Sequence, residues 1–299
     1  MKKILITGGA GFVGSNLVKR LKQEGHEIVV IDNYSAGKRE NEIPGVTYVN
    51  LHTKHINSLE LVLLLDHGKK GSFQPDVVYH LGEYSRIHPS FVDYDKVWQD
   101  NTVGTFEVLK YCKSHNVKIV YAASSTKFAK EGTDHSPYSL TKAMSIDLVK
   151  AFAKWYGVEY SICYFYNVFG PGYDSSPVPG YESVISIFDK QSKAGKPLTV
   201  AGNGQQKRMF TYVGDIVDGL IKSADYPEND EFELGNPIKS YTILEIAKMF
   251  SDDIEFVEAR KGDRSDSILH TYDETCTKLN WKPTMSIEDW IQYIKSTPQ

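Results

Sequence analysis

The chain has 299 residues, 41% hydrophobic and 24% charged, which is long and apolar enough to bury one large core or two modest ones and excludes a disordered chain. Lys and Arg number 34 against 38 Asp and Glu, and a net charge of -4 gives no electrostatic reason to expect a nucleic-acid or membrane partner. Cys112, Cys163 and Cys276 are far apart and show no paired ligand spacing. That argues against a disulfide framework and a zinc site, so no metal is expected, and reduced thiols in a cytoplasmic protein are.

The charged start Met1-Lys2-Lys3 leads into the apolar run Ile4 to Ile6, which breaks at Thr7-Gly8-Gly9. The run is too short for a secretory signal and reads as a buried first strand. Leu17, Val18 and Leu21 at helical spacing predict a helix over Asn16 to Gln23, ended by Gly25, and Glu27 to Ile31 is a second strand. Residues 3 to 32 therefore form one βαβ unit. Further strands are expected at Val46 to Val49, Val77 to His80, Lys118 to Ala122 and Tyr160 to Tyr164, with helices around Leu59 to Leu65, Gly104 to Ser114 and Ser139 to Trp155. This alternation predicts an α/β fold, a Rossmann-type doubly wound parallel sheet over residues 1–170. After Gly170-Pro171 the pattern loosens, with amphipathic stretches at Tyr181 to Ala194 and Thr242 to Phe250. Residues 171–299 read as a smaller α/β substrate-binding lobe, some segments of which return to the sheet.

Three groups of residues carry chemistry. Gly8, Gly11 and Gly14, with Phe12 and Val13 between the last two, lie directly after a strand and before a helix. Glycines there permit a tight turn and close backbone approach to a pyrophosphate, and the helix N-terminus supplies amide donors. Asp32, followed by Asn33, stands at the end of the second strand. Its carboxylate can accept both adenosine ribose hydroxyls and would repel a 2'-phosphate, which favours NAD over NADP; a plain strand-end turn is the other reading, and Lys38 and Arg39 lie close by. Tyr138 and Lys142, four apart at the start of a helix, share one face, where an ammonium beside a phenol favours the phenolate. Ser124, Ser125 and Thr126 close the Lys118 strand and place hydroxyls at the sheet edge where ligands bind, or simply cap it.

In order and spacing these residues, with His80-Leu81, Asn101, Gly104-Thr105, Asn167-Val168-Phe169-Gly170-Pro171, Arg208 with Phe210, Asp215, and Arg260 with Gly262-Asp263, resemble the extended short-chain dehydrogenase/reductase family, particularly its NAD-dependent nucleotide-sugar epimerases and dehydratases. The resemblance implies Tyr138 as general base, Lys142 as the residue that holds the nicotinamide ribose, and Ser124 as the one that orients the substrate hydroxyl, with Ser125 and Thr126 beside it. It implies NAD contacts from the glycine loop, Asp32, Asn33, Leu81 and Gly82, with Asn101 as a structural residue of the cofactor site, and diphosphate contacts from Asn167, Arg208 and Arg260, with Asp263 next to them. The alternative for the two arginines is structural salt bridges. A homodimer is typical of this family.

The chain also departs from the pattern. Gly82-Glu83-Tyr84-Ser85-Arg86 replaces the usual small residues, so Glu83, Ser85 and Arg86 are expected to touch substrate or cofactor, unless Glu83 and Arg86 pair with each other. The loop from Ser124 to Tyr138 is short, the arginine often found ahead of Asn167 gives way to Cys163 and Tyr164, and Asn50-Leu51-His52-Thr53 lacks the acidic residue expected on the adenine side. The resembling dehydratases carry Asp and Glu directly after the strand-end hydroxyl, and the related decarboxylases a glutamate; Ser125 and Thr126 do not replace these. What remains is oxidation and re-reduction at one sugar carbon, an epimerisation most often at C4 of a UDP-sugar. A dehydrogenase or ketoreductase with net turnover is the second reading, and a non-catalytic NAD-binding regulatory protein the third.

Overall fold

The computed structural model describes residues 1–68, 73–128, 135–172, 182–262 and 269–297. Its centre is a seven-stranded sheet. Strands β1 (Lys3–Thr7), β2 (Glu27–Asp32), β3 (Thr47–Asn50), β4 (Val77–His80), β5 (Lys118–Ser124) and β6 (Tyr160–Phe165) are joined by a last strand, Asp230–Leu234. The spatial order is Asp230–Leu234, β6, β5, β4, β1, β2, β3, and every pairing is parallel. The seven strands run as a Rossmann-type α/β sheet, as the alternation in the sequence predicts.

Helices cover both faces because the strands are apolar on both. In β1, Ile4 and Ile6 point one way and Leu5 the other; in β2, Val30 opposes Val29 and Ile31. Ile4, Ile6 and Val30 pack under α1 (Phe12–Gln23) and the helix Val213–Asp225, through Leu17, Leu21, Ile216 and Leu220. Leu5, Val29 and Ile31 pack under α2 (Leu59–His67) and the helices Gly104–His115 and Pro137–Tyr156, through Leu59, Leu109, Ile146 and Val149. Each aliphatic side chain so buried contributes roughly 1.5–3 kcal/mol of transfer free energy.

The segment beyond residue 170 does not stay apart from the sheet. The helix Val213–Asp225 and the strand Asp230–Leu234 complete the first core. A second core gathers Phe188, Leu198, Val200, Ile246, Phe250 and Ile291 from the helices Val184–Lys193, Ile243–Phe250 and Ile287–Ser296 and from a small parallel pair, Leu198–Ala201 with Ile254–Val257, and Phe169 from the short strand Val168–Phe169. The helix expected from Tyr181 starts at Val184, with Tyr181 outside the described residues. Among the described residues, no helix is long and apolar enough to cross a membrane.

Candidate active site

A cavity of about 500 Å³ lies along the C-terminal ends of the parallel strands, with the second core closing its far side. In an open α/β sheet this is where a ligand binds, because the strand order reverses between β1 and β4 and leaves a crevice there.

The glycine loop forms one wall. Gly8 has φ +73, and a Cβ there would come within 2.7 Å of the Gly82 amide nitrogen; a Cβ on Gly14 would stand 2.1 Å from the Gly8 carbonyl oxygen. The loop and the end of β4 therefore touch backbone to backbone. α1 starts at Phe12, four residues before the expected Asn16, and its N-cap Gly11 brings no capping side chain. Gly11, Phe12, Val13 and Gly14 all border the cavity, so the positive end of the helix dipole meets whatever anion enters.

Asp32, at the end of β2, borders the cavity and is buried. Its Oδ2 accepts the Ala10 amide at 2.9 Å and its Oδ1 the Tyr34 amide at 2.8 Å, so the carboxylate ties the glycine loop to the strand end. Burial pushes its carboxyl up, against those two amides. Asn33 also borders the cavity and receives the Ser35 amide. Arg39, which leaves NADP open on sequence alone, lies over the Tyr34 ring and pairs with Glu42 at 3.5 Å instead. A dinucleotide fits this cradle. Asp32→Ala is expected to raise the Kd for NAD by about tenfold or more in calorimetric titration; an unchanged Kd would take Asp32 out of the site.

The reactive end is built on β5 and the helix Pro137–Tyr156. Ser136 caps that helix by accepting the Ser139 amide, and Pro137 opens its first turn. Tyr138 and Lys142 follow one turn apart, buried, with both bordering the cavity beside Ser124. Ser124 Oγ accepts the Thr126 amide at 3.3 Å and the Thr126 hydroxyl at 3.1 Å, so Thr126 orients Ser124. Ser125 is buried at the same edge.

Lys142 Nζ forms an ion pair with Glu83 and donates to the Ala122 carbonyl. The Tyr121 hydroxyl is 3.4 Å away. Glu83 thus pairs with Lys142 rather than with Arg86; its carboxylate is 3% exposed, and the residue borders the cavity. Arg86 lies instead against Ser85, and both border the cavity. Glu83 Oε1 also accepts from Thr105 Oγ1 at 2.8 Å and from the Tyr121 hydroxyl at 3.0 Å. Burial pushes the Glu83 carboxyl up, countered by the Lys142 charge and these hydrogen bonds. Burial and the Lys142 charge drive His80 down to about 3, so its ring is neutral.

Leu81 and Gly82 border the cavity as expected. Asn101 does not: it is wholly buried, exchanges hydrogen bonds with the Tyr84 backbone (2.7 and 3.2 Å) and donates to Thr141 at 3.1 Å. It braces the Glu83 segment against the Tyr138 helix, the structural role that the resemblance implies for it, from behind the cavity wall.

Asn167, Arg208 and Arg260 converge on the far end from three separate segments. Asn167 is held at φ 26 by its bond to the Met209 carbonyl, and Arg208 by antiparallel pairing with Tyr241. The Arg260 turn rests on Ile87 and Phe91, which a Cβ on Gly262 would meet at 2.9 Å. Asp263 lies outside the described residues.

Sequence reasoning missed two features. Asp100, from the π-helical segment Trp98–Val103, brings a carboxylate to the end of β3: its Oδ1 lies 2.8 Å from His52 Nε2, and both residues border the cavity. Tyr121 reaches the Lys142 pair from mid-strand, and its place three residues before Ser124 was the available signal.

A sequence model of the NAD dependent epimerase/dehydratase family matches residues 4–235. A putative UDP-glucose 4-epimerase of Methanocaldococcus jannaschii is 27% identical, over 97% of this chain and 96% of its own. UDP-glucuronic acid decarboxylase 1 of Xenopus tropicalis is also 27% identical, over 97% of this chain and 70% of its own. Among solved structures, the UDP-glucose 4-epimerase of Thermotoga maritima with UDP-glucose superposes with a TM-score of 0.87 at 25% identity, covering 98% of this chain and 97% of that one. The UDP-glucuronic acid 4-epimerase of Bacillus cereus with UDP-glucuronic acid and NAD gives 0.83 at 26%, covering 98% and 99%. The glycine cradle, the strand-end serine and the Tyr138/Lys142 helix of this chain thus lie within the matched stretch, and the chain belongs to the NAD dependent epimerase/dehydratase family, as an enzyme whose cofactor is NAD.

Proposed function

We propose that this chain is a UDP-sugar 4-epimerase. The observation that carries the reading is that Ser124, Tyr138 and Lys142 border one cavity while Ser125 and Thr126, rather than carboxylates, follow Ser124. Hydroxyls there serve neither a leaving water nor an adjacent carbon proton, so the dehydratase step lacks its acid and base. The Glu83 carboxylate is engaged with Lys142. The UDP-sugar names of its relatives support the nucleotide.

In this reading Arg208, Arg260 and Asn167 hold the diphosphate, with planar guanidinium forks suited to it. Ser124 orients the C4 hydroxyl and Tyr138 removes its proton. NAD, held by the glycine loop and Asp32, would supply the acceptor and then the donor for the C4 hydride. Between those events the sugar is a flat ketone, and turning it over in the cavity presents the other face, after which Tyr138 returns the proton. Asp32 and the glycine loop keep the cofactor in place through the cycle.

The test is incubation of purified protein, without added cofactor, with UDP-, GDP-, CDP- and dTDP-sugars, followed by NMR and mass spectrometry. An isomer of unchanged mass is expected from a UDP-sugar. Accumulating NADH with an oxidised sugar would make the protein a dehydrogenase.

A homodimer belongs to the same proposal. Phe106, on the helix Gly104–His115, and Leu140 and Met144, on the helix Pro137–Tyr156, are exposed apolar residues on two neighbouring helices. Leu140→Arg combined with Met144→Glu is expected to turn a dimer into a monomer in sedimentation velocity; an unchanged sedimentation coefficient would place the interface elsewhere.

A further inference from the structure

Glu83 is the departure that the proposed mechanism leaves unused. It is a carboxylate in the interior, and burying one costs several kcal/mol unless it is paired and hydrogen-bonded. Here it is both. It pairs with Lys142 and accepts from Thr105 and Tyr121.

The hydrogen bonds continue beyond Thr105. Its hydroxyl proton goes to Glu83, so at the 2.9 Å contact with His80 Nε2 the Thr105 oxygen is the acceptor. That places the proton of the neutral imidazole on Nε2, and leaves Nδ1 to accept from Thr7 Oγ1 at 2.7 Å. Thr7 Oγ1 in turn accepts the Gly82 amide at 2.9 Å. All the dipoles therefore point toward one carboxylate. The chain runs from the residue before the glycine loop to the catalytic lysine.

We infer that Glu83 is a positioning residue for the proton-transfer pair: its carboxylate, anchored through Thr105 and His80, holds the Lys142 ammonium against Ala122 and offsets its charge. Two consequences follow. Lys142 is fixed by the protein itself, because its donors go to Glu83 and the Ala122 carbonyl, with the Tyr121 hydroxyl close by. And the ammonium is compensated by the carboxylate, so proton transfer at this wall of the cavity takes place beside a neutral pair rather than beside a free cation. The titratable groups that meet Glu83 are Lys142 from the helix Pro137–Tyr156 and Tyr121 from β5, with His80 from β4 joined to it through Thr105. Of these, only Lys142 carries an opposing charge.

This inference rests on Tyr138 and Lys142 being the proton-transfer pair, so Tyr138→Phe is run beside it. Glu83→Gln keeps the volume and an acceptor oxygen but removes the charge; Glu83→Ala removes the anchor as well. With the UDP-sugar that turns over, Glu83→Gln is expected to move the acid limb of the pH–kcat profile down by about one unit. Glu83→Ala is expected to lower kcat by about tenfold with KM within about twofold, since the carboxylate oxygens are engaged by Lys142, Thr105 and Tyr121. A Glu83→Gln profile that superposes on the wild type, whatever happens to Tm, overturns the inference while leaving the proposed function standing. Full activity in Tyr138→Phe overturns the proposed function itself.

Discussion

Tyr138→Phe is expected to lower kcat by about 10²–10⁴-fold with little change in KM, the usual range for removing a positioned general base. The reason is geometric. Tyr138 is buried at the cavity wall, one turn before Lys142 and beside Ser124, and its ring packs with Tyr84, Val97 and Ile87, so a phenylalanine fills the same volume. What is lost is the hydroxyl. The variant should keep the wild-type Tm and Kd for NAD, and the measurement that checks this is turnover followed by NMR beside a thermal melt. A drop in activity accompanied by a large fall in Tm would instead mark Tyr138 as a packing residue.

Lys142→Met is expected to lose stability as well as activity. Breaking a buried pair from one side leaves an uncompensated charge, which costs about 3–5 kcal/mol, or roughly 10 °C in Tm for a chain of this size. The sign of the pH dependence follows from Glu83. Burial already pushes its carboxyl up, and without the ammonium that raises no longer has its main opponent. A group whose folded-state pKa is raised contributes fully below its unfolded pKa and loses that contribution as pH rises through the folded one. The Tm deficit should therefore be largest near pH 8 and shrink toward pH 5, in about the window between the ordinary carboxylate range and neutrality. Equal deficits at both ends would mean that the Glu83–Lys142 contact is not an ion pair.

Much of the scaffold was legible without coordinates. Val77 to His80 was bounded correctly, Lys118 to Ala122 and Tyr160 to Tyr164 were short by two residues and one, and the long helix was placed to within two residues at its start. These are runs whose periodicity is set by neighbours in the chain. The glycine motif runs to Gly14, so the sequence places the first helix from Asn16; in the structure the helix already begins at Phe12, with Gly11 as its N-cap and Gly14 inside its first turn. The strand Asp230–Leu234, with three acidic residues among five, gives little strand signal, and its parallel pairing with β6 supplies the reason it forms.

For the site, the glycine loop, Asp32, Ser124 and the Tyr138/Lys142 pair were determined by the sequence alone, because each depends on spacing along one βα unit or one helical turn. Only the tertiary structure decided the rest. Glu83 lies next to Arg86 in the chain, yet the crowded end of β4 turns it inward to Lys142, 59 residues away. His52 finds its carboxylate on Asp100, 48 residues on, and Asn101 finds the backbone of Tyr84. Each of these outcomes is set by which buried charge or polar group must find a partner across elements. That requirement is imposed by desolvation in the folded interior, and it leaves no mark on local sequence.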